Sequence, residues 1–199
     1  MPTDRKRSLP SLLIGLILMA IGIAVFGIRL IHAGPYAMPG GGALAGGLGA
    51  IALGSLLLWL GKLRPWGWLL LIASPAAVFP ALYSIMGEAD EVISLYAKGD
   101  GESVTDLRLW IVDREDGAWV GMSRDKALTH QLDGQRLSML RSGTLTCVIP
   151  VLHEDRATVG PIHQMKVEKY RVAQWAGAAG FYPLEATDST VVLRLDPCP

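Results

Sequence analysis

Residues 105–127 read TDLRLWIVDREDGAWVGMSRDKA, and the fold of the second half of the chain turns on how this stretch is read. From Leu107 to Val112 the apolar Leu107, Leu109 and Ile111 point one way and Arg108, Trp110 and Val112 the other, the two-residue period of a strand with one buried face. Asp116-Gly117 signals a hairpin turn, and Ala118 to Met122 returns as the partner strand. Ser123 is placed to cap a short helix over about Arg124 to Leu132, its hydroxyl accepting a free backbone N–H of the first turn. The corner therefore gathers Ser123, Arg124 and Lys126 close to Arg108 on the preceding strand. Arginine offers a planar fork, lysine a point charge and a helix start free N–H groups, so the four together suit a phosphate. The same residues also suit an ordinary solvated helix start.

Working outward, strand patterns recur. Val92 to Lys98 is a strand and 99–103 a turn; Arg136 to Leu140 and Thr144 to Leu152 pair across Ser142-Gly143, with Pro150 marking an edge or bulge. Residues 161–176 read as a helix, 176–189 as a loop, and Val191 to Leu195 as a closing strand. The order β-β-β-α-β-β-α-β in so short a length predicts a small antiparallel barrel with helices outside it.

The N-terminal half differs in kind. Of 18 acidic and 18 basic residues, residues 88–199 hold 17 acidic against 12 basic, so the neutral total hides an acidic half and a basic one. The acidic half argues against nucleic acid, which needs a basic face. Three apolar runs, about 9–31, 43–60 and 66–86, predict a bundle of three transmembrane helices in the lipid bilayer, residues 1–87 forming a membrane domain and 88–199 a soluble one. Gly46, Gly47, Gly49 and Gly54 would let helices approach closely. Arg5, Lys6 and Arg7, with Lys62 and Arg64, favour the cytoplasmic side and set residue 88 onward outside it, a multi-pass cell-membrane protein with an extracytoplasmic domain. No run holds a central charge, which argues against a transporter.

Recognisable catalytic motifs are absent. There is no G-x-G-x-x-G, Walker or G-x-S-x-G pattern, and His153-Glu154 fails as a zinc-protease motif because position 157 is alanine. His130, His153 and His163 are scattered, no metal site is expected, and no residue stands out as a catalytic acid or base. Cys147 and Cys198 are the two cysteines, and a lasting disulfide between them would need an oxidising compartment.

Strand order and motif together resemble the flavin-binding split-barrel superfamily, which includes pyridoxamine 5'-phosphate oxidases and deazaflavin-dependent nitroreductase-like proteins. The resemblance rests on Arg108, Asp116-Gly117, Trp119, the Ser123-Arg124-Asp125-Lys126 corner, Glu168-Lys169-Tyr170 and the closing VVLRLDP, and covers roughly residues 92–196. Leu132-Asp133-Gly134 replaces the family's Asn-Pro turn, and Arg171 stands where a glycine often follows the Lys-Tyr pair. It implies a split barrel, paired as a homodimer, in which Arg108, Ser123, Arg124 and Lys126 hold the phosphate of FMN or a deazaflavin. The activity implied is that of an oxidoreductase, with hydride transfer supplied by the cofactor. Trp110 and Trp119 would line the ring pocket or simply pack the core. The alternative is a membrane-anchored binding or assembly module whose barrel holds no cofactor.

Overall fold

In the computed structural model, residues 9–31, 42–60, 66–98 and 104–199 are described. The basic clusters at 5–7 and at 62 and 64, and the stretch 99–103 expected to be a turn, lie outside them. The chain forms two compact units, one ending at Glu88 and the other running from Ala89 to Pro199.

The first unit holds three helices, α1 (Leu9–Ile31), α2 (Gly42–Leu60) and α3 (Trp66–Ala89). Glycines set the contact between α1 and α2. A Cβ at Gly22 would lie 2.7 Å from the carbonyl oxygen of Gly47, and one at Gly54 the same distance from that of Gly15. Two glycines seven residues apart on each helix thus meet their counterparts in antiparallel order. Gly49 faces open space and takes no part in this contact.

The expected bundle of three transmembrane helices is corrected here. Among the described residues one helix is long and apolar enough to cross a bilayer, Leu9–Ile28. In α2 the apolar stretch Gly46–Leu60, the part whose side chains are described, is shorter than a span. No described stretch of the third helix is long and apolar enough to span. A single apolar helix near the N-terminus is what a membrane span and a signal sequence have in common.

The second unit is a closed antiparallel barrel. Its strands are β1 (Val92–Lys98), β2 (Val104–Arg114), β3 (Gly117–Ser123), β4 (Leu137–Arg141), β5 (Thr144–His153) and β6 (Thr190–Pro197), in the order β1-β2-β3-β6-β5-β4. Alternation fills the interior: Leu107, Leu109 and Ile111 from β2 meet Val120 and Met122 from β3 and Val191, Leu193 and Leu195 from β6. Ala127 and Leu132, from the helix α4 (Arg124–Thr129) and the turn after it, join that core. Pro150 lies on β5 beyond the last rung to β4, Leu137 opposite Val148, so its missing N–H breaks no ladder bond there.

The helical reading of 161–176 needs revision at both ends. α5 (Arg156–Lys169) starts earlier, because Asp155 caps it through a 2.8 Å bond from the Thr158 N–H, and Pro161 lies inside it. Tyr170 then takes an extended conformation (φ −101°, ψ 107°) that breaks the helix, and α6 (Arg171–Ala178) begins afresh.

Cys147 and Cys198 form a disulfide with a Cα–Cα separation of 5.5 Å. They occupy the rung that follows Val148 opposite Pro197, and the Cys198 N–H also donates to the Cys147 carbonyl at 3.2 Å.

Candidate functional site

β2 and β3 pair from Arg114 opposite Gly117 to Ile111 opposite Val120 and no further, so Arg108 and Ser123 lie on the stretches of the two strands beyond that ladder. On the other side of β2, Arg108 pairs with Ser94 of β1, and its guanidinium donates to the Ser94 hydroxyl at 2.8 Å. Ser123 caps α4 as its sequence position predicts, accepting the Lys126 N–H at 3.4 Å. Lys126 is half-buried. Desolvation pushes its pKa below the usual lysine range, and the Asp106 carboxylate pulls it partly back. Asp106 belongs to β2, two residues from Arg108, so both stand on the outward side of that strand.

Arg124 is engaged elsewhere. Its guanidinium pairs with Glu154 at 2.9 Å, and its backbone N–H donates to the Ser189 carbonyl at 2.7 Å. Ser123 and Lys126 thus share the start of α4, Arg108 is bonded to Ser94, and Arg124 turns toward the end of β5. His153, beside Glu154, packs its ring on Trp119 at 5.0 Å. On the far side of α4, Leu128, Gln131, Asp133 and Leu152 help line an open hollow of about 300 Å³.

Neither tryptophan is exposed at the corner. Trp119 is 2% exposed, lies between Arg114 and Arg194 at 5.9 and 6.0 Å, and donates its indole N–H to Asp116 at 2.9 Å. Trp110 stacks on Tyr170 with ring centroids 4.8 Å apart and meets Tyr182 at 5.7 Å.

Two clusters escaped the sequence reading. In the first, Arg141 forms a bidentate pair with Asp113, both contacts 2.7 Å, and reaches Glu91 at 2.6 Å, while Lys169 holds the other oxygen of Glu91 at 2.6 Å. Desolvation opposes ionisation of Glu91, but hydrogen bonds from Lys169 and Arg141 outweigh it and hold the carboxyl below its usual range. Asp113 is held down chiefly by its hydrogen bonds with Arg141. In the second, His163 and Lys166 of α5 are buried against Tyr182. Charged residues on a moderately amphipathic helix read as solvated, and nothing local in the sequence marks these as buried. Among the described residues no three His, Cys, Asp or Glu side chains gather as metal ligands.

No family model and no curated protein matches this chain. Solved structures do. The heme storage protein HutZ of Vibrio cholerae matches at 9% identity over 57% of this chain and 86% of its own, with a TM-score of 0.41. A Listeria innocua protein assigned as a pyridoxamine 5'-phosphate oxidase matches at 13% identity over 57% and 89%, with a TM-score of 0.37. ChuZ of Campylobacter jejuni matches at 9% identity over 67% and 60%, with a TM-score of 0.40.

Proposed function

We propose that the barrel is a split barrel whose corner holds the phosphate of FMN or a deazaflavin, and that the chain is an oxidoreductase-like protein. The observation that carries this reading is Lys126 at the start of α4, capped by Ser123 and within reach of the charge of Asp106, which stands two residues from Arg108 on β2. The residues fit a phosphate in part. Lys126 is a desolvated cation whose charge Asp106 supports only partly, and an arriving phosphate would complete that support. Arg124 joins only by leaving Glu154. A bound flavin supplies hydride chemistry; the chain's own part is to grip its phosphate and fix its orientation.

The chain is further proposed to act outside the cytoplasm, attached to the membrane through α1. The basic cluster at 5–7 favours an inward N-terminus, so one span, or a signal sequence, leaves the barrel outside. The Cys147–Cys198 disulfide agrees, since such bonds persist in oxidising compartments.

A second reading, a cofactor-free binding or assembly module, draws on partners already present: Ser94 for Arg108 and Glu154 for Arg124. It also draws on location, because flavins are most easily loaded in the cytoplasm. The full chain purified in mild detergent separates the two. A yellow, fluorescent protein that loses its chromophore in Arg108→Ala and Lys126→Ala supports the first. A colourless protein that takes up neither FMN nor a deazaflavin overturns it.

A further inference from the structure

Lys166 points its ammonium into a place where no carboxylate meets it. It is 7% exposed, on the face of α5 that packs against β2, β3 and β6. Gly121 of β3 makes the room: a Cβ there would lie 3.0 Å from the lysine Nζ. The ring of Tyr182 lies 5.8 Å from Nζ. Among the described residues Lys166 makes no hydrogen bond or ion pair. Burial lowers its pKa to about 8, and no carboxylate opposes that shift.

One turn earlier, His163 is 2% exposed and stacks on the same Tyr182 ring at 5.9 Å, the planes 3° apart. Its Nε2 lies 3.0 Å from the Pro183 carbonyl, an acceptor that fixes the proton on Nε2. Nδ1 is then a lone pair, buried and without a hydrogen-bond partner. Burial and the neighbouring Lys166 charge both keep this imidazole neutral. A buried cation with no anion and a buried acceptor with no donor are both costly, and native folds keep such pairs where something else supplies the partner.

We propose that Lys166 and His163 form a binding site, beneath Tyr182, for the phosphate group of a small monoester. A phosphate monoanion brings both missing partners at once: an anionic oxygen for the Lys166 ammonium and a P–OH to donate to His163 Nδ1. A carboxylate brings the first without the second. Trp110, 5.7 Å from Tyr182 and stacked on Tyr170, gives the organic part of the ester an aromatic wall. This site adjoins the corner, Gly121 standing two residues before Ser123 on β3 and Trp110 two residues after Arg108 on β2, but it uses other side chains and does not rest on the cofactor reading.

The test is calorimetric titration of the full chain in detergent with inorganic phosphate, phenyl phosphate and acetate, on Lys126→Ala, which removes the corner's cation, and on the same variant carrying Lys166→Met. Phenyl phosphate is expected to bind most tightly and acetate most weakly. Adding Lys166→Met, which keeps the apolar stem, is expected to weaken the phosphate binding that Lys126→Ala leaves by at least about tenfold. If the Lys166→Met variant does not fold, His163→Gln carries the same comparison. Equal binding with and without Lys166→Met, or no phosphate binding in Lys126→Ala, overturns the proposal. So does acetate binding as tightly as phosphate.

Discussion

Replacing Tyr170 by phenylalanine removes one oxygen from a fully buried position and tests how the barrel is held to α5. β1 and β2 pair as far as Val92 opposite Trp110, so the next rung would join Glu91 to Ile111. The Tyr170 hydroxyl stands in that rung. It accepts the Ile111 N–H at 2.8 Å and donates to the Glu91 carbonyl at 2.6 Å. Burial pushes its pKa up, so it remains a donor at any working pH. In Tyr170→Phe the Ile111 carbonyl keeps its bond from Lys169 at 2.8 Å, but the Ile111 N–H is left buried without an acceptor. An orphaned buried N–H costs about 1–3 kcal/mol. That cost corresponds to a roughly 5- to 150-fold rise in the local opening equilibrium. Hydrogen exchange reads it directly: the Ile111 amide is expected to lose protection by that factor, with a matching fall in the urea midpoint. Unchanged protection at Ile111 together with an unchanged midpoint would refute the reasoning.

Three further outcomes follow from separate parts of the molecule. Gly54→Leu places a side chain where Gly15 O and Met19 already lie within 3 Å, so α1 and α2 must separate; overpacking of this kind costs about 1–3 kcal/mol or more. Cysteine cross-linking between the two helices should then fail, and cross-linking at wild-type efficiency would count against the contact. The Glu91, Asp113 and Arg141 cluster gives an acid limb. Both carboxylates have folded pKa values below their unfolded ones, so their contribution is fully present above about pH 5 and disappears as pH falls through the folded values. Arg141→Gln should therefore be less stable than wild type at pH 7, with the gap closing as pH falls through the lowered folded values, and a gap independent of pH would contradict this. Alkylation of intact cells, before and after reduction, should find Cys147 and Cys198 blocked until reductant is added; free thiols at the outset would place the barrel in a reducing compartment.

The barrel was legible because its strands carry their own record. Leu107, Leu109 and Ile111 alternate with Arg108 and Trp110, and Asp116-Gly117 marks the turn, so position and face follow from local chemistry. The helices were less so. Pro161 looks like a helix start, yet the real cap is Asp155, and the break at Tyr170 is made by a hydroxyl bonded to β2, which no local pattern reveals. In the first unit the apolar runs were legible, but the contact of α1 with α2 depends on glycines of both helices at once, Gly22 with Gly47 and Gly15 with Gly54, which neither run shows by itself. At the corner, sequence spacing put Arg124 with Lys126, but side-chain direction was decided by Glu154, some 30 residues away. Burial of Lys166 depends on the absence of a side chain at Gly121, a feature on another element.

The central claim is a phosphate grip at Arg108, Ser123 and Lys126, and comparison of FMN with riboflavin tests it most directly, since the two differ only in the phosphate. Titration of the purified chain, followed by flavin fluorescence, is expected to show FMN binding at least about tenfold more tightly than riboflavin, and Lys126→Ala is expected to erase the difference. Equal affinity for the two flavins, a preference that survives Lys126→Ala, or no binding of either would contradict it.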